Sequence, residues 1–203
     1  PLGITAPPVK LTGALNGTGN ITGDAFVTPP GNANKLAVHP SGDHVAVVTD
    51  ASPYITIYRI TSGKLIKLAN PATLPNAAAK SCSYSSNGTY LAITTTTAPF
   101  LIIYKRSGDV YTKLTDPATA PTGSATGCSW SSDGVYLAIA HSVSPYITIY
   151  KNVADVFTKL SDPATLPTGT GSGCTFSFDN TYLSVAHTAS PYITIYKRSG
   201  DTF

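Results

Sequence analysis

The sequence predicts an all-β protein built from one antiparallel unit used four times, and three observations carry that expectation. The phrase Ser144-Pro145-Tyr146-Ile147-Thr148-Ile149-Tyr150 recurs unchanged at 52–58 and 190–196, and as Ala98-Pro99-Phe100-Leu101-Ile102-Ile103-Tyr104 between them, each copy starting 46 residues after the last. The 203 residues contain no Glu, Gln or Met. Those three are strong helix formers, whereas the Thr, Tyr, Ile and Val that fill the chain favour strands. Within each copy, short apolar runs alternate with Ser/Asp/Gly and Pro turns, as strands joined by hairpins do. A fixed period of this length marks a repeat architecture, in which each unit packs against its neighbours.

Taken in order, residues 1–24 stand apart as a Pro- and Gly-rich arm holding at most a short strand. The repeats occupy 25–203. In the third, Gly127–Ser131 is expected as a strand, Ser132-Asp133-Gly134 as a tight turn, and Tyr136–His141 as a second strand. Tyr146–Tyr150 follows as the third strand and Val156–Leu160 as a shorter fourth. The run from Ser161 to Gly169 then crosses to the next copy. Four antiparallel strands and one crossover per 46 residues are the anatomy of a β-propeller blade. Blades are expected at about 34–70, 80–116, 126–162 and 172–203. The third and fourth copies, 105–150 and 151–196, agree at 28 of 46 positions without a gap. The first copy diverges most, as terminal repeats do. Phe203 aligns with Tyr111 and Phe157 at the start of the fourth strand. The outer strand of the last blade is therefore expected from the arm, near Ile21–Thr22 or Phe26–Thr28, which would close a ring of four blades.

Both faces of the second strand are apolar: Tyr136, Ala138 and Ala140 point one way, Leu137, Ile139 and His141 the other. This is the pattern of a sheet covered on both sides. Cys82, Cys128 and Cys174 occupy one repeat position, which Leu36 holds in the first copy. A site that accepts leucine is expected to be a core position. Equivalent residues on adjacent blades are too far apart to bridge, and no Cys-x-x-Cys or Cys-His spacing suggests a metal.

Charged residues make up 11% of the chain, with a net charge of +3 and the cations spread over all the repeats. Nucleic-acid binding, which calls for a basic stripe, is not expected. Neither is a membrane span. A surface made from Thr, Ser, Asn and Gly suits an extracellular or particle-bound location.

Near-identical repeats are a poor setting for the unique constellation that catalysis needs, so no catalytic residue, metal or cofactor is expected. His141 and His187 stand at one repeat position, where Thr49 and Thr95 stand in the other copies. His39 and His44 flank the first-copy turn. Asp109, Asp155 and Asp201, Asp116 and Asp162, and Asp133 and Asp179 are each expected to serve turns. Binding is the better expectation, because repeats offer equivalent loops on one rim. Tyr150, Tyr196, His141 and His187 are the candidate interaction residues, with packing between blades as the competing reading.

The unit Gly-Cys-x-Phe/Trp-Ser-x-Asp, Tyr-Leu-x-x-Ala-His, Ser-Pro-Tyr-Ile-Thr-Ile-Tyr, Phe-Thr-Lys-Leu and Asp-Pro-Ala-Thr-Leu-Pro-Thr-Gly resembles the WD-repeat-like propeller units of bacteriophage and bacterial proteins. The resemblance covers about Asn34 to Phe203. The terminal Trp-Asp of eukaryotic WD repeats is replaced by Ile-Tyr-Lys. The resemblance implies a non-enzymatic virion component (decoration, fibre or tail-associated) whose partners are other virion or surface proteins or a host-surface glycan. A secreted or surface propeller that binds glycans or proteins, and a metal-dependent propeller hydrolase, are the alternatives.

Overall fold

Two corners shape each repeat. In the third, Ser131 N–H donates to Tyr136 O (2.9 Å) and Gly134 N–H to Ser131 O (2.9 Å), while the Asp133 carboxylate accepts from Ser131 Oγ (2.5 Å) and Val135 N–H (3.0 Å). Gly134 sits at φ +71°, where an L side chain is strained. The second corner is a turn with a cis Ser144-Pro145 bond, closed by Tyr146 N–H to Val143 O (2.9 Å). A cis-Pro at its third position makes it a type VI turn. The same cis bond occurs at Ser52-Pro53, Ala98-Pro99 and Ser190-Pro191.

The computed structural model describes residues 27–203, together with the backbone of β1 (Ala14–Leu15) and β2 (Ile21–Thr22), which pair antiparallel with each other. The rest of the expected arm, and with it the closure of the fourth blade, lies outside the described residues. Four sheets follow. The first holds β3 (Ala33–Val38), β4 (His44–Thr49), β5 (Ile55–Thr61) and β6 (Lys64–Lys67). The second holds β7 (Ala79–Tyr84), β8 (Tyr90–Thr95), β9 (Leu101–Ser107) and β10 (Val110–Lys113). The third holds β11 (Ala125–Trp130), β12 (Tyr136–His141), β13 (Ile147–Val153) and β14 (Val156–Lys159). The fourth has three strands, β15 (Gly171–Phe176), β16 (Tyr182–His187) and β17 (Ile193–Lys197), and then a bridge from Ser199 to Thr202.

Every sheet is an antiparallel meander in chain order, with the same bulge in its first strand. The expected strands of the third copy lie within one to three residues of the observed ones. Phe26–Thr28, the other candidate for a closing strand, is not one where it is described. Val27 O instead accepts from Tyr58 OH at 2.6 Å, as Thr73 O, Thr119 O and Thr165 O accept from Tyr104, Tyr150 and Tyr196 in the later crossovers.

The sheets stack face to face in chain order, with β3, β7, β11 and β15 adjacent along the inner side. Strand alternation makes the joints. Leu137 and Ile139 of the third blade meet Tyr90, Ala92, Leu101 and Ile103 of the second. Ala138, Ile147 and Ile149 on its opposite face meet Leu183, Val185 and Tyr196 of the fourth. An aromatic pair sits at the outer part of each joint: Tyr84 with Tyr111, Trp130 with Phe157, Phe176 with Phe203.

The two end blades each keep one face open. On the first, Leu36 is 58% exposed and Val38 54%. On the fourth, Ile193 is 51% exposed and Ile195 59%, although their counterparts Ile147 and Ile149 are enclosed. Leu36 was expected in the core with the cysteines. It is exposed because no described sheet covers that face of β3.

Candidate functional site

The second strand of each blade leads through its Ser-Pro-Tyr corner (Ala-Pro-Phe in the second blade) into the third strand, and those corners share one rim with the crossovers between blades. Side chains of the crossovers fasten the corners from beneath. Thr122 Oγ1 donates to Ser144 O (2.9 Å) and Thr168 Oγ1 to Ser190 O (2.8 Å). Asn76 Nδ2 donates to Ala98 O (2.6 Å) in the second blade. At the tip of each corner an aromatic adopts a left-handed backbone: Tyr54 (φ 66°), Phe100 (65°), Tyr146 (65°) and Tyr192 (68°). A bulky residue holds this conformation only where its surroundings impose it. Lys113 pairs with Asp116 and Lys159 with Asp162, both at 2.5 Å, so the charges beside the second and third blades cancel locally, whereas Lys67 of the first blade faces Asn70 instead. The result is a row of near-identical loops, each with one aromatic and several carbonyl and hydroxyl groups, uncharged in three blades and carrying Asp50 in the first. Such a surface suits repeated contact with a polar, uncharged partner.

The four residues expected to make contact lie inside this framework. Tyr150 and Tyr196 are buried, and their hydroxyls donate to Thr119 O and Thr165 O, both at 2.9 Å. Burial pushes the Tyr196 phenol up to about 12. Each anchors a crossover rather than facing a partner. His141 and His187 are also buried, under the corners, with Nε2 at 2.9 and 3.0 Å from Thr148 Oγ1 and Thr194 Oγ1. Burial holds the His141 pKa below its ordinary 6.5. The aromatic at the corner itself is one residue after Pro, half-buried in the first three blades and exposed in the fourth, and only its left-handed backbone, which the sequence does not display, singles it out.

The cysteines point into the joints. Cys174 Sγ faces Ala138 O (3.4 Å) of the preceding blade, and Cys82 Sγ and Cys128 Sγ face Ala46 O and Ala92 O, both at 3.9 Å. Burial pushes the Cys128 thiol up to about 12, far from the thiolate that reactivity requires.

The opposite rim carries a device that the sequence reading missed. Asp155 was expected only to serve its turn. Its carboxylate reaches back to the preceding blade, accepting from Tyr90 OH (2.6 Å) and Lys105 Nζ (2.7 Å). Asp201 accepts in the same way from Tyr136 OH (2.6 Å) and Lys151 Nζ (2.8 Å). The lysine bonds lead in holding Asp155 and Asp201 below the usual carboxylate range. Burial, then the Asp201 carboxylate, pushes the Tyr136 phenol up to about 12. Each clasp therefore ties one blade to the next. The recurring signal was available: Tyr, Lys and Asp at constant offsets of 65 and 50 residues.

The first joint uses a variant. Asp109 stands 2.9 Å from His44 Nε2 and accepts from Arg59 Nη1 at 2.6 Å. Arg106 Nη2 reaches His44 Nδ1 (3.0 Å) and Asp43 Oδ2 (3.4 Å), and its Nη1 lies 3.2 Å from His39 Nε2. His39 and His44, which flank the first-copy turn, are both buried in this joint. Burial, then Arg106, holds the His39 pKa low. The hydrogen bonds from His44 and Ser41 hold Asp43 far below the usual carboxylate range. Positive and negative groups alternate through the cluster, so its chemistry is that of a joint. Among the described residues, no three His, Cys or Asp side chains converge as a cation site would require.

No family model matches the chain, and no curated protein matches its sequence. Solved structures do match its shape. A protein assigned as a 6-phosphogluconolactonase from Bacteroides uniformis superposes with a TM-score of 0.68 at 17% identity, over 92% of this chain and 60% of that one. The hydrazine synthase of Kuenenia stuttgartiensis gives 0.60 at 16%, covering 82% and 58%. A chain of the mitotic checkpoint complex gives 0.62 at 16%, covering 82% and 50%. The chain thus spans between half and three-fifths of the length of these neighbours. At such identities the likeness is one of fold alone. What the sequence, the blades and the neighbours agree on is an all-β chain of WD40-like repeats with a propeller-like fold.

Proposed function

We propose that this chain is a non-enzymatic binding or structural module that meets its partner through the rim of Ser-Pro-Tyr corners and crossovers. One observation carries the reading: all four blades present on one side a corner of the same backbone with an at least partly exposed aromatic after its proline, and three of the four corners carry no charge. The acidic groups of the opposite rim are engaged in holding blades together, through the clasps and the His39–His44 cluster. In its most concrete form the proposal makes the chain a bacteriophage virion component, bound to other virion proteins and meeting a host-surface glycan or protein. Support comes from the resemblance of the repeat to phage propeller units and from the low charge of the chain. Mass spectrometry of purified particles tests this form, and particles lacking the chain would overturn it. A secreted glycan- or protein-binding propeller is the second reading, favoured by the row of left-handed aromatics. A selective hit on a glycan array, with absence from virions, would promote it. Hydrolysis of a sugar lactone by the purified chain would replace both readings with an enzymatic one.

A further inference from the structure

The two open faces of the array are unfinished halves of a joint that the molecule already makes three times. In each internal joint the leading face of one blade presents alanine or valine from its second strand and two aliphatic residues from its third. The next blade answers with a residue at the cysteine position, an aromatic, and two aliphatic residues of its second strand. The fourth blade still presents such a leading face, with Tyr182, Ile193 and Ile195 exposed. The first blade presents a receiving face, with Leu36 and Val38 exposed and Val45 and Val47 half-buried. Leu36 is 58% exposed where its counterpart Cys82 is 3%. Apolar residues at both ends, in the register of an existing interface, define what fits each: the other end of the same chain.

We infer that two copies of this chain associate head to tail, Ile193 and Ile195 of one against Leu36, Val38, Val45 and Val47 of the other. Two such joints join two four-blade arcs into one eight-bladed assembly, at the upper end of the propeller range of about four to eight blades. A head-to-tail interface closes into a ring when its rotation allows.

The new joint differs from the internal ones. Gly63 stands where Asp109, Asp155 and Asp201 form the clasps, and Val38 and Leu65 stand where the other blades carry the aromatic pair. The association is therefore aliphatic, weaker than the internal joints, reversible, and insensitive to salt. This inference stands independently of the proposed binding rim, which lies on a different surface.

Sedimentation or mass photometry of the 203-residue chain across the micromolar range tests it. The expected result is a monomer–dimer equilibrium whose midpoint is unchanged by added salt. I193D/I195D removes the leading face and L36D/V38D the receiving face. Each double variant changes exposed residues, so each folds, with far-UV circular dichroism and Trp130 fluorescence as the check. Each raises the dissociation constant of the homodimer by at least about a hundredfold, the effect of losing two central apolar contacts. Mixed together, the two variants form a heterodimer through the single joint that remains intact. A wild-type chain that stays monomeric, as it would if the arm or further chain covered these faces, overturns the inference. So does a dimer that survives in both double variants, or a mixture that fails to associate.

Discussion

Ile149 and Ile195 are the same residue of the same strand in consecutive repeats, yet one is 2% exposed and the other 59%. Replacing each by alanine compares an enclosed joint with an open one while holding sequence context constant. At Ile149 the change deletes three buried carbons, about 2.4 kcal/mol at ~0.8 kcal/mol per carbon, and the remaining cavity extends the cost into the range of about 2 to 5 kcal/mol. At Ile195, 59% exposed, less than half of the residue is withdrawn from water, and solvent fills the space left behind. The expected loss there is about 1 kcal/mol or less. Urea unfolding followed by circular dichroism, at concentrations dilute enough to keep the chain monomeric, measures both. Trp130, enclosed between Tyr90 and Phe157, reports on the middle joint in the same experiment. Equal losses at the two positions would refute the reasoning, because they would mean that the leading face of the fourth blade is covered within a single chain.

Other expectations follow from the joints and corners. His141 is buried with its pKa lowered, so the unfolded chain binds the proton more readily than the folded one. Its contribution to stability is present above the ordinary value of 6.5 and is lost as pH falls through that value towards the lower folded one. H141T, which installs the residue found at Thr49 and Thr95, should shrink the drop in melting temperature between pH 7.5 and pH 5, by about the share of one site. Y90F removes the hydroxyl that donates to Asp155 and should cost about 1 kcal/mol in urea unfolding, with no change in secondary structure. A Cβ at Gly171 would stand 2.5 Å from Tyr146 O, whereas one at Gly173 would meet nothing within 4 Å. G171A should therefore destabilise by about 1 to 3 kcal/mol and G173A by much less, as thermal unfolding of the two variants will show.

The scaffold was legible because repetition turns one local pattern into four independent statements of it. Strand boundaries in the third repeat could be read from Tyr136–His141, and two-sided burial from Leu137, Ile139, Ala138 and Ala140. The candidate site was less legible for a physical reason. Tyr150 looks like a contact residue by type, but its hydroxyl is committed to a carbonyl 31 residues earlier in the chain. Asp155 looks like a turn residue by position, but its carboxylate serves a tyrosine 65 residues earlier. Hydrogen bonds across a joint connect positions that no local pattern links.

The sequence by itself determined the all-β class, the 46-residue period, the four units and the apolar character of both faces of each sheet. Each of these depends on residue type and spacing within one repeat, where local geometry rules. Tertiary structure decided which copy of an identical residue is enclosed and which stands in water. Ile149 and Ile195 have the same neighbours in sequence, and burial belongs to the blade stacked against them rather than to the residues themselves. It also decided that the aromatic after each proline, not the one that ends the strand, is left at least partly exposed at the corner. That outcome rests on the backbone angle at Tyr146, which the packed corner imposes on a residue that would otherwise avoid it.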